Sequence, residues 1–124
     1  NYNNFFDASS IKRIYVIENI SNKILRGWKG HKIEQRWFIA IQGSFRIKFM
    51  EIDNWISPSK NLIYKEINLT SKTLDVLHIP PGYATCIQSI EKNSKLLVMA
   101  DYAIDEVEDE YRFDLNYFSN KIKN

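Results

Sequence analysis

The chain has 124 residues, of which 44% are hydrophobic and 26% charged, and its formal net charge at pH 7 is +2. This composition excludes an intrinsically disordered chain, and the length predicts a single domain over residues 1–124. The charge is near neutral and no run of residues is strongly basic, so the sequence gives no support for nucleic-acid binding.

The sequence predicts a cytoplasmic protein with no membrane-bound part. No apolar run approaches the ~18 residues that a membrane-spanning helix needs. Residues 1–7 lack the basic start and apolar stretch of a signal peptide. Cys86 is the only cysteine and cannot form a disulfide within the chain, which favours a reducing compartment.

The first half of the chain predicts four strands, because short alternating or apolar segments are separated by turn residues. The predicted strands cover residues 11–17, 25–30, 35–41 and 44–52. A polar, Asn-rich loop over residues 18–23 separates the first two. The turn at Gly43-Ser44 predicts a hairpin between the last two.

The second half predicts four further strands, over residues 62–69, 73–79, 84–90 and 95–102. Pro80-Pro81-Gly82 interrupts this series, since proline cannot continue a central strand. Residues 105–124 are polar with spaced aromatic residues, and predict a short helix or an irregular tail packed on the barrel. About eight strands with little helix indicate an all-β sandwich, jelly roll or barrel, and the pattern alone does not choose among them.

Two segments resemble a known family. The first reads RGWKGHK at residues 26–32, followed by Glu34-Gln35 and the turn at Gly43-Ser44. The second reads LHIPPGYA at residues 77–84, followed by Asp101-Tyr102. Their order and spacing resemble the dTDP-4-dehydrorhamnose 3,5-epimerases and the smaller dTDP-sugar 3,4-ketoisomerases, over roughly residues 12–118. The resemblance implies a cupin-type jelly-roll barrel, also called a double-stranded β-helix.

The same resemblance implies proton transfer beside the ketone of a nucleotide-linked 4-keto-6-deoxy sugar. His31 is then the candidate base and Tyr102 the candidate acid. Arg26 is the candidate clamp for the diphosphate or the enolate. Lys29 occupies the place of the epimerase base histidine, and it replaces that base only if burial or Arg26 lowers its pKa.

Four further residues are candidates for substrate binding. Tyr15 lies in a strand that resembles the ketoisomerase segment with an active-site tyrosine. Gln35 and Arg46 contact the substrate only if their strands face the cavity. Trp28 is a candidate for stacking on the nucleotide base, although core packing is the commoner role of such a residue.

Metal and cofactor binding are not expected. The only histidines are His31 and His78, there is no His-x-His pair, and Thr85 stands where a last ligand of a cupin metal site would be. The resemblance further implies a homodimer, a nucleotide-sugar substrate and a place in bacterial surface-polysaccharide synthesis.

Two alternatives remain open at this point. Lys29 and Thr85 stand where relatives have histidines, so the chain is alternatively a non-catalytic cupin that binds a sugar nucleotide or a protein partner. The other alternative is an interaction domain without a ligand. In that case the loop over residues 53–60, with Trp55, is the partner surface.

Overall fold

The computed structural model describes residues 6–19, 21–22 and 25–119, and within these ranges the chain forms strands and no helix. The strands are, in chain order, β1 (Arg13–Asn19), β2 (Leu25–His31), β3 (Arg36–Gln42), β4 (Ser44–Glu51), β5 (Lys65–Thr70), β6 (Leu77–Ile79), β7 (Tyr83–Ser89), β8 (Ser94–Ala100) and β9 (Tyr111–Arg112). The described part of the chain accordingly holds no helix that is able to cross a membrane.

The strands form two antiparallel sheets. One sheet has four strands in the order β1-β8-β3-β6, and the other has five in the order β5-β4-β7-β2-β9. Alternating side chains of both sheets meet in a buried apolar core that includes Phe38, Phe45, Ile47, Leu69 and Val98. The alternation arises because successive side chains of a strand point to opposite faces of its sheet.

A second apolar cluster covers the outer face of the five-stranded sheet. It contains Trp28, Met50 and Cys86, and the C-terminal segment contributes Phe118. Trp55 packs in the same layer, with its ring 4.8 Å from that of Tyr111. The loop over residues 53–60 therefore does not present Trp55 as an exposed partner surface. The tail, as far as residue 119, packs against the sheet as predicted.

The eight predicted strands are all present, with bounds that differ by a few residues. The hairpin predicted at Gly43-Ser44 is wrong, because β3 belongs to the four-stranded sheet and β4 to the five-stranded sheet, so this turn carries the chain from one sheet to the other. The largest differences in strand bounds are at β5 and β6, which begin at Lys65 and Leu77 rather than at residues 62 and 73. Residues 71–74 form a turn, and Leu74 adopts a φ of 54° there. The short β9 was not predicted. The short-helix alternative for residues 105–124 is wrong for residues 105–119, and residues 120–124 lie outside the described ranges. Residues 20 and 23 of the predicted loop are also outside the described ranges.

Candidate active site

Two adjoining cavities lie at one end of the space between the sheets. The inner cavity has a volume of about 400 Å³ and the outer cavity of about 940 Å³. Both are lined by the same five polar side chains, which are Tyr15, Lys29, His31, Glu34 and Arg36. The outer cavity is bounded by the acidic segment over residues 104–111. The shared residues therefore stand where the two cavities meet.

An extra residue in β2 places the basic side chains of this strand on the inner side. Arg26 pairs with Ile87 and Lys29 with Thr85, so β2 carries three steps where β7 carries two. Strict alternation from Arg26 would turn Lys29 and His31 to the outer face. The bulge shifts the alternation by one residue, as bulges beside active sites commonly do. Arg26, Lys29 and His31 consequently all line the inner cavity.

The buried guanidinium of Arg36 connects three other groups of the site. Its Nη1 donates to the Tyr15 hydroxyl at 2.6 Å. Its Nη2 lies 2.8 Å from His31 Nε2 and 3.3 Å from Glu34 Oε1. Arg36 is 7% exposed, so these contacts replace most of its hydration. The ion pair with Glu34 lowers the cost of burying the charge, and the contacts fix the positions of the phenol and the imidazole.

The contact with Arg36 also fixes the protonation state of His31. Arginine can only donate hydrogen bonds, so His31 Nε2 accepts this one and the imidazole proton is on Nδ1. Burial first, and then the positive charges of Arg36 and Lys29, together lower the pKa of His31 from 6.5 to about 3. His31 is therefore neutral at physiological pH, and its Nε2 lone pair accepts the hydrogen bond from Arg36.

Lys29 is a further basic residue that lines both cavities. Its Nζ lies 3.7 Å from Glu110 Oε1, which is too long for a hydrogen bond. Glu110 directs its other oxygen to Arg112 at 2.7 Å. Burial lowers the pKa of Lys29, and the neighbouring Arg112, Arg36 and Arg26 lower it as well against the opposing charge of Glu110.

Two carboxylates hold the turn between His31 and Arg36. Asp109 accepts backbone N–H bonds from Lys32, Ile33 and Glu34 at 2.8–2.9 Å. Asp101 accepts the N–H of the next residue, Gln35, at 2.9 Å. Four successive backbone donors thus end on two side chains that come from a distant part of the chain. Since buried N–H groups need partners, these bonds determine the path of the turn that presents the site residues.

The structure brings five of the eight predicted site residues together. Tyr15, Arg26, Trp28, Lys29 and His31 all line the inner cavity. Arg26 also donates to Asn19 Oδ1 at 3.1 Å, and Trp28 reaches the outer cluster as well. The cavity thus combines an imidazole, an amine, a phenol and a guanidinium from predicted positions.

The other three predicted residues line neither of these cavities. Tyr102 lies beneath Lys12, whose Nζ is 5.9 Å from the ring centre. Gln35 bonds to Asp101 and to His78 Nε2, so it supports the turn beside the site. Arg46 pairs with Glu66, because its neighbours Phe45 and Ile47 take the core side of β4 and Arg46 faces away from it.

Three charged residues of the site were not predicted. Arg36 and Glu34 line both cavities, and Arg112 lines the inner one. A signal for Arg36 was present, because alternation places it on the same face as Phe38 and Ala40, where an arginine is unexpected. Arg112 had no such signal, since it reaches the site through the unpredicted β9.

No group of three or more histidine, cysteine or carboxylate side chains in the described ranges is arranged to hold a metal ion. Arg36 instead binds both His31 and Glu34. Lys29 likewise lies among the guanidinium groups of the site.

A family profile described as FdtA, WxcM-like, C-terminal, matches residues 6–123. The chain belongs to this family. No curated protein matches the sequence significantly.

Solved structures with the same fold include sugar-nucleotide isomerases. The sugar 3,4-ketoisomerase QdtA of Thermoanaerobacterium thermosaccharolyticum, in complex with TDP, is 28% identical; the match covers 86% of this chain and 70% of QdtA with a TM-score of 0.65. The TDP-quinovose 3,4-ketoisomerase WlaRB of Campylobacter jejuni is 25% identical, over 89% and 76% of the two chains, with a TM-score of 0.66.

A dTDP-4-dehydrorhamnose 3,5-epimerase of Bacillus anthracis shares the fold at 14% identity, with a TM-score of 0.70 over 86% of this chain and 61% of the epimerase. At this identity the likeness concerns the fold alone. The two-sheet architecture and these neighbours confirm the predicted cupin-type jelly roll.

The carboxylate of Asp109 gives a test of the turn. We expect Asp109→Asn to lower the free energy of unfolding by about 1–3 kcal/mol, because an amide nitrogen would face a backbone donor where an oxygen now accepts. Asp114→Asn is the matched control, since Asp114 is exposed and makes one long contact of 3.5 Å to the Asn116 N–H. Urea denaturation measures both variants, and equal losses would contradict the special role of Asp109.

The protonation state of His31 gives a second test. NMR of the ring protons, assigned with a His78→Gln variant, should show no titration of His31 between pH 8 and 5 and a transition only near the pKa of about 3. The unfolded chain binds this proton near pH 6.5 and the native chain does not. The free energy of unfolding therefore falls as pH drops from 6.5 toward 3. His31→Gln should remove that part of the pH dependence, and a His31 transition near pH 6.5 would contradict the assignment.

Proposed function

We propose that the chain is an epimerase or keto-isomerase that acts, without a metal, on a nucleotide-linked 4-keto-6-deoxy sugar, with dTDP as the nucleotide. One observation carries this proposal: at the wall of a cavity, a buried guanidinium donates hydrogen bonds to both a neutral imidazole and a phenol. Membership of the FdtA family and the ketoisomerase neighbours support the choice of substrate. We propose residues 1–124 as one domain, working in surface-polysaccharide synthesis.

In the proposed reaction His31 removes a proton from the carbon beside the ketone. His31 Nε2 must first lose its hydrogen bond from Arg36. A substrate oxygen that accepts from Arg36 Nη2 would release the lone pair of His31 and would place the guanidinium where negative charge develops on the enolate. The loss of this contact also raises the basicity of His31 at the moment when a base is needed.

Tyr15 is the acid that the cavity offers, in place of Tyr102. Its hydroxyl already accepts a hydrogen bond from Arg36 Nη1, so its own proton is free to point toward a ligand. The same guanidinium thus lies between the proposed base and the proposed acid. Tyr102, by contrast, does not reach either cavity.

The charges of the inner cavity suit a diphosphate. Arg26, Lys29, Arg36 and Arg112 line it, and Glu34 is the single carboxylate among its lining residues. Glu34 is already engaged by Arg36 and Arg13. Trp28 offers an aromatic edge in the same cavity. We propose that Arg26 and Arg112 bind phosphate oxygens, because planar guanidinium groups match their geometry.

We also propose that the protein works as a cytoplasmic homodimer. The outward face of the four-stranded sheet carries rows of apolar side chains, with Ile14 beside Met99 and Val16 beside Leu97. Ile14 is 60% exposed and Val16 48% exposed, which makes this face a candidate contact between two copies. Val16→Glu should shift the molar mass measured by light scattering from dimer to monomer. Glu18→Lys on the same strand face is the control, and a monomeric parent protein would contradict the proposal.

Solvent exchange tests the proposed reaction directly. With dTDP-4-keto-6-deoxyglucose in D2O, the protein should exchange the proton beside the ketone, as followed by NMR. His31→Asn should slow this exchange about 10²–10⁴-fold, because it removes the base. Tyr15→Phe should slow the overall reaction, whereas Tyr102→Phe should leave it within a factor of a few.

The controls separate the alternatives. Saturable shifts of the nucleotide signals without any exchange would favour a non-catalytic binding protein over an enzyme. Equal rates in the parent protein and in His31→Asn would show that His31 is not the base. The absence of both exchange and binding would exclude this substrate.

A further inference from the structure

We infer that Lys29 is a nucleophile that forms an imine with the ketone of the bound sugar. This inference rests on the proposed function, because it needs a keto sugar in the inner cavity. It assigns to Lys29 a covalent role that is distinct from the proton transfer assigned to His31.

The placement of Lys29 supports this role. Lys29 and His31 are two residues apart in β2, and their partners in β7 are Thr85 and Tyr83. Residues at this spacing project from the same face of a strand, so the amine and the imidazole lie side by side. Both line the inner and the outer cavity. A sugar carbon bonded to Lys29 can therefore have a neighbouring carbon within reach of His31.

The surroundings of Lys29 favour the neutral amine, which is the nucleophilic form. The Lys29 side chain is 37% exposed, and this partial burial together with the charges of Arg26, Arg36 and Arg112 lowers its pKa. Glu110 is the nearest carboxylate to its Nζ, yet the 3.7 Å separation is longer than a hydrogen bond and Arg112 competes for that carboxylate. Burial and neighbouring cations are the two means by which proteins activate lysine toward carbonyl groups.

The covalent step balances without any further reactant. The Lys29 nitrogen lone pair forms a C–N bond to the carbonyl carbon, and the π pair moves to oxygen, which takes up one proton from the amine. A second proton from solvent lets this oxygen leave as water and gives a protonated imine. His31 takes the proton from the neighbouring carbon, and the C–H electron pair moves toward the C=N⁺ to form an enamine. Reprotonation and hydrolysis by water return the ketone and the free amine.

The imine also distinguishes between the two reactions of the family. Return of the proton to the carbon that lost it, on the opposite face, gives an epimer that hydrolysis releases. In keto-isomerisation, the carbon that lost the proton would instead become the new ketone carbon. The Lys29 nitrogen would then stay joined to the sugar by a single C–N bond, which hydrolysis does not break. Imine formation at Lys29 is therefore compatible with epimerisation and not with keto-isomerisation.

Borohydride trapping tests this inference. The full chain is incubated with dTDP-4-keto-6-deoxyglucose and sodium borohydride, and the intact mass and the tryptic peptides are measured. We expect one adduct, on Lys29. Lys29→Arg should lose the adduct and slow turnover more than 100-fold while keeping nucleotide binding, whereas Lys32→Arg, which changes an exposed lysine on the neighbouring turn, should keep both adduct and turnover.

A second variant separates the covalent step from the proton transfer. His31→Asn should still form the Lys29 adduct but should lose exchange of the adjacent proton. Three outcomes would overturn the role of Lys29 and leave the proposed function standing. They are exchange that continues without any adduct, an adduct on other lysines, and a keto-isomerised product. Absence of both exchange and nucleotide binding would instead overturn the proposed function itself.

Discussion

The extra residue that β2 carries between Arg26 and Lys29 determines the chemistry of the cavity. Without it, Lys29 and His31 would face the apolar layer formed by Trp28, Met50 and Cys86, where neither a charge nor a proton-transfer group has a use. With it, three basic side chains of one strand face the inner cavity. The bulge disturbs the ladder locally. Beside it, Gly30 leaves room for the Trp55 ring, since a Cβ at this position would lie 2.6 Å from that ring.

The positive charge gathered in this way needs internal compensation. Glu34 supplies part of it inside the cavity, and Glu110 supplies part of it at the junction with the outer one. Both are shared between two cations, since Glu34 also contacts Arg13 and Glu110 also binds Arg112. An anionic ligand would complete the compensation, because a buried cation gains more from a partner than an exposed one does. The charges that line the inner cavity are thus arranged for an anionic ligand.

Much of the fold could be predicted from the sequence, because alternation and turn residues act locally. Gly43, with a φ of 69°, and the Pro80-Pro81-Gly82 turn mark strand ends that any chain with these residues would have. Strand β9 could not be predicted in the same way. It has two residues, and it exists because Tyr111 and Arg112 pair with Gly30 and Lys29 of a distant strand.

The site was predictable where a motif lay within one strand and not where the tertiary fold chose the partner. His31, Lys29 and Arg26 belong to one segment, and their common location follows from it. Tyr102 was the candidate acid because of the resemblance to the epimerases, whereas the tyrosine that lies against Arg36 is Tyr15 of β1, which only the packing of the sheets decides. For Arg46, by contrast, alternation in β4 already favoured the outward face, because its neighbours Phe45 and Ile47 are apolar and take the core side.

The low basicity of His31 connects the geometry with the chemistry. A base with a pKa of about 3 removes a proton from the carbon beside a ketone only slowly, because the rate of proton transfer falls as the base becomes weaker. Two changes can close this gap. Transfer of the Arg36 hydrogen bond to the substrate strengthens the base, and formation of a cationic imine at Lys29 strengthens the carbon acid. Burial remains the largest cause of the low pKa, and the transfer of Arg36 does not remove it. Activation of the substrate does not depend on removing this burial, and the neighbouring Lys29 is the group placed to supply it.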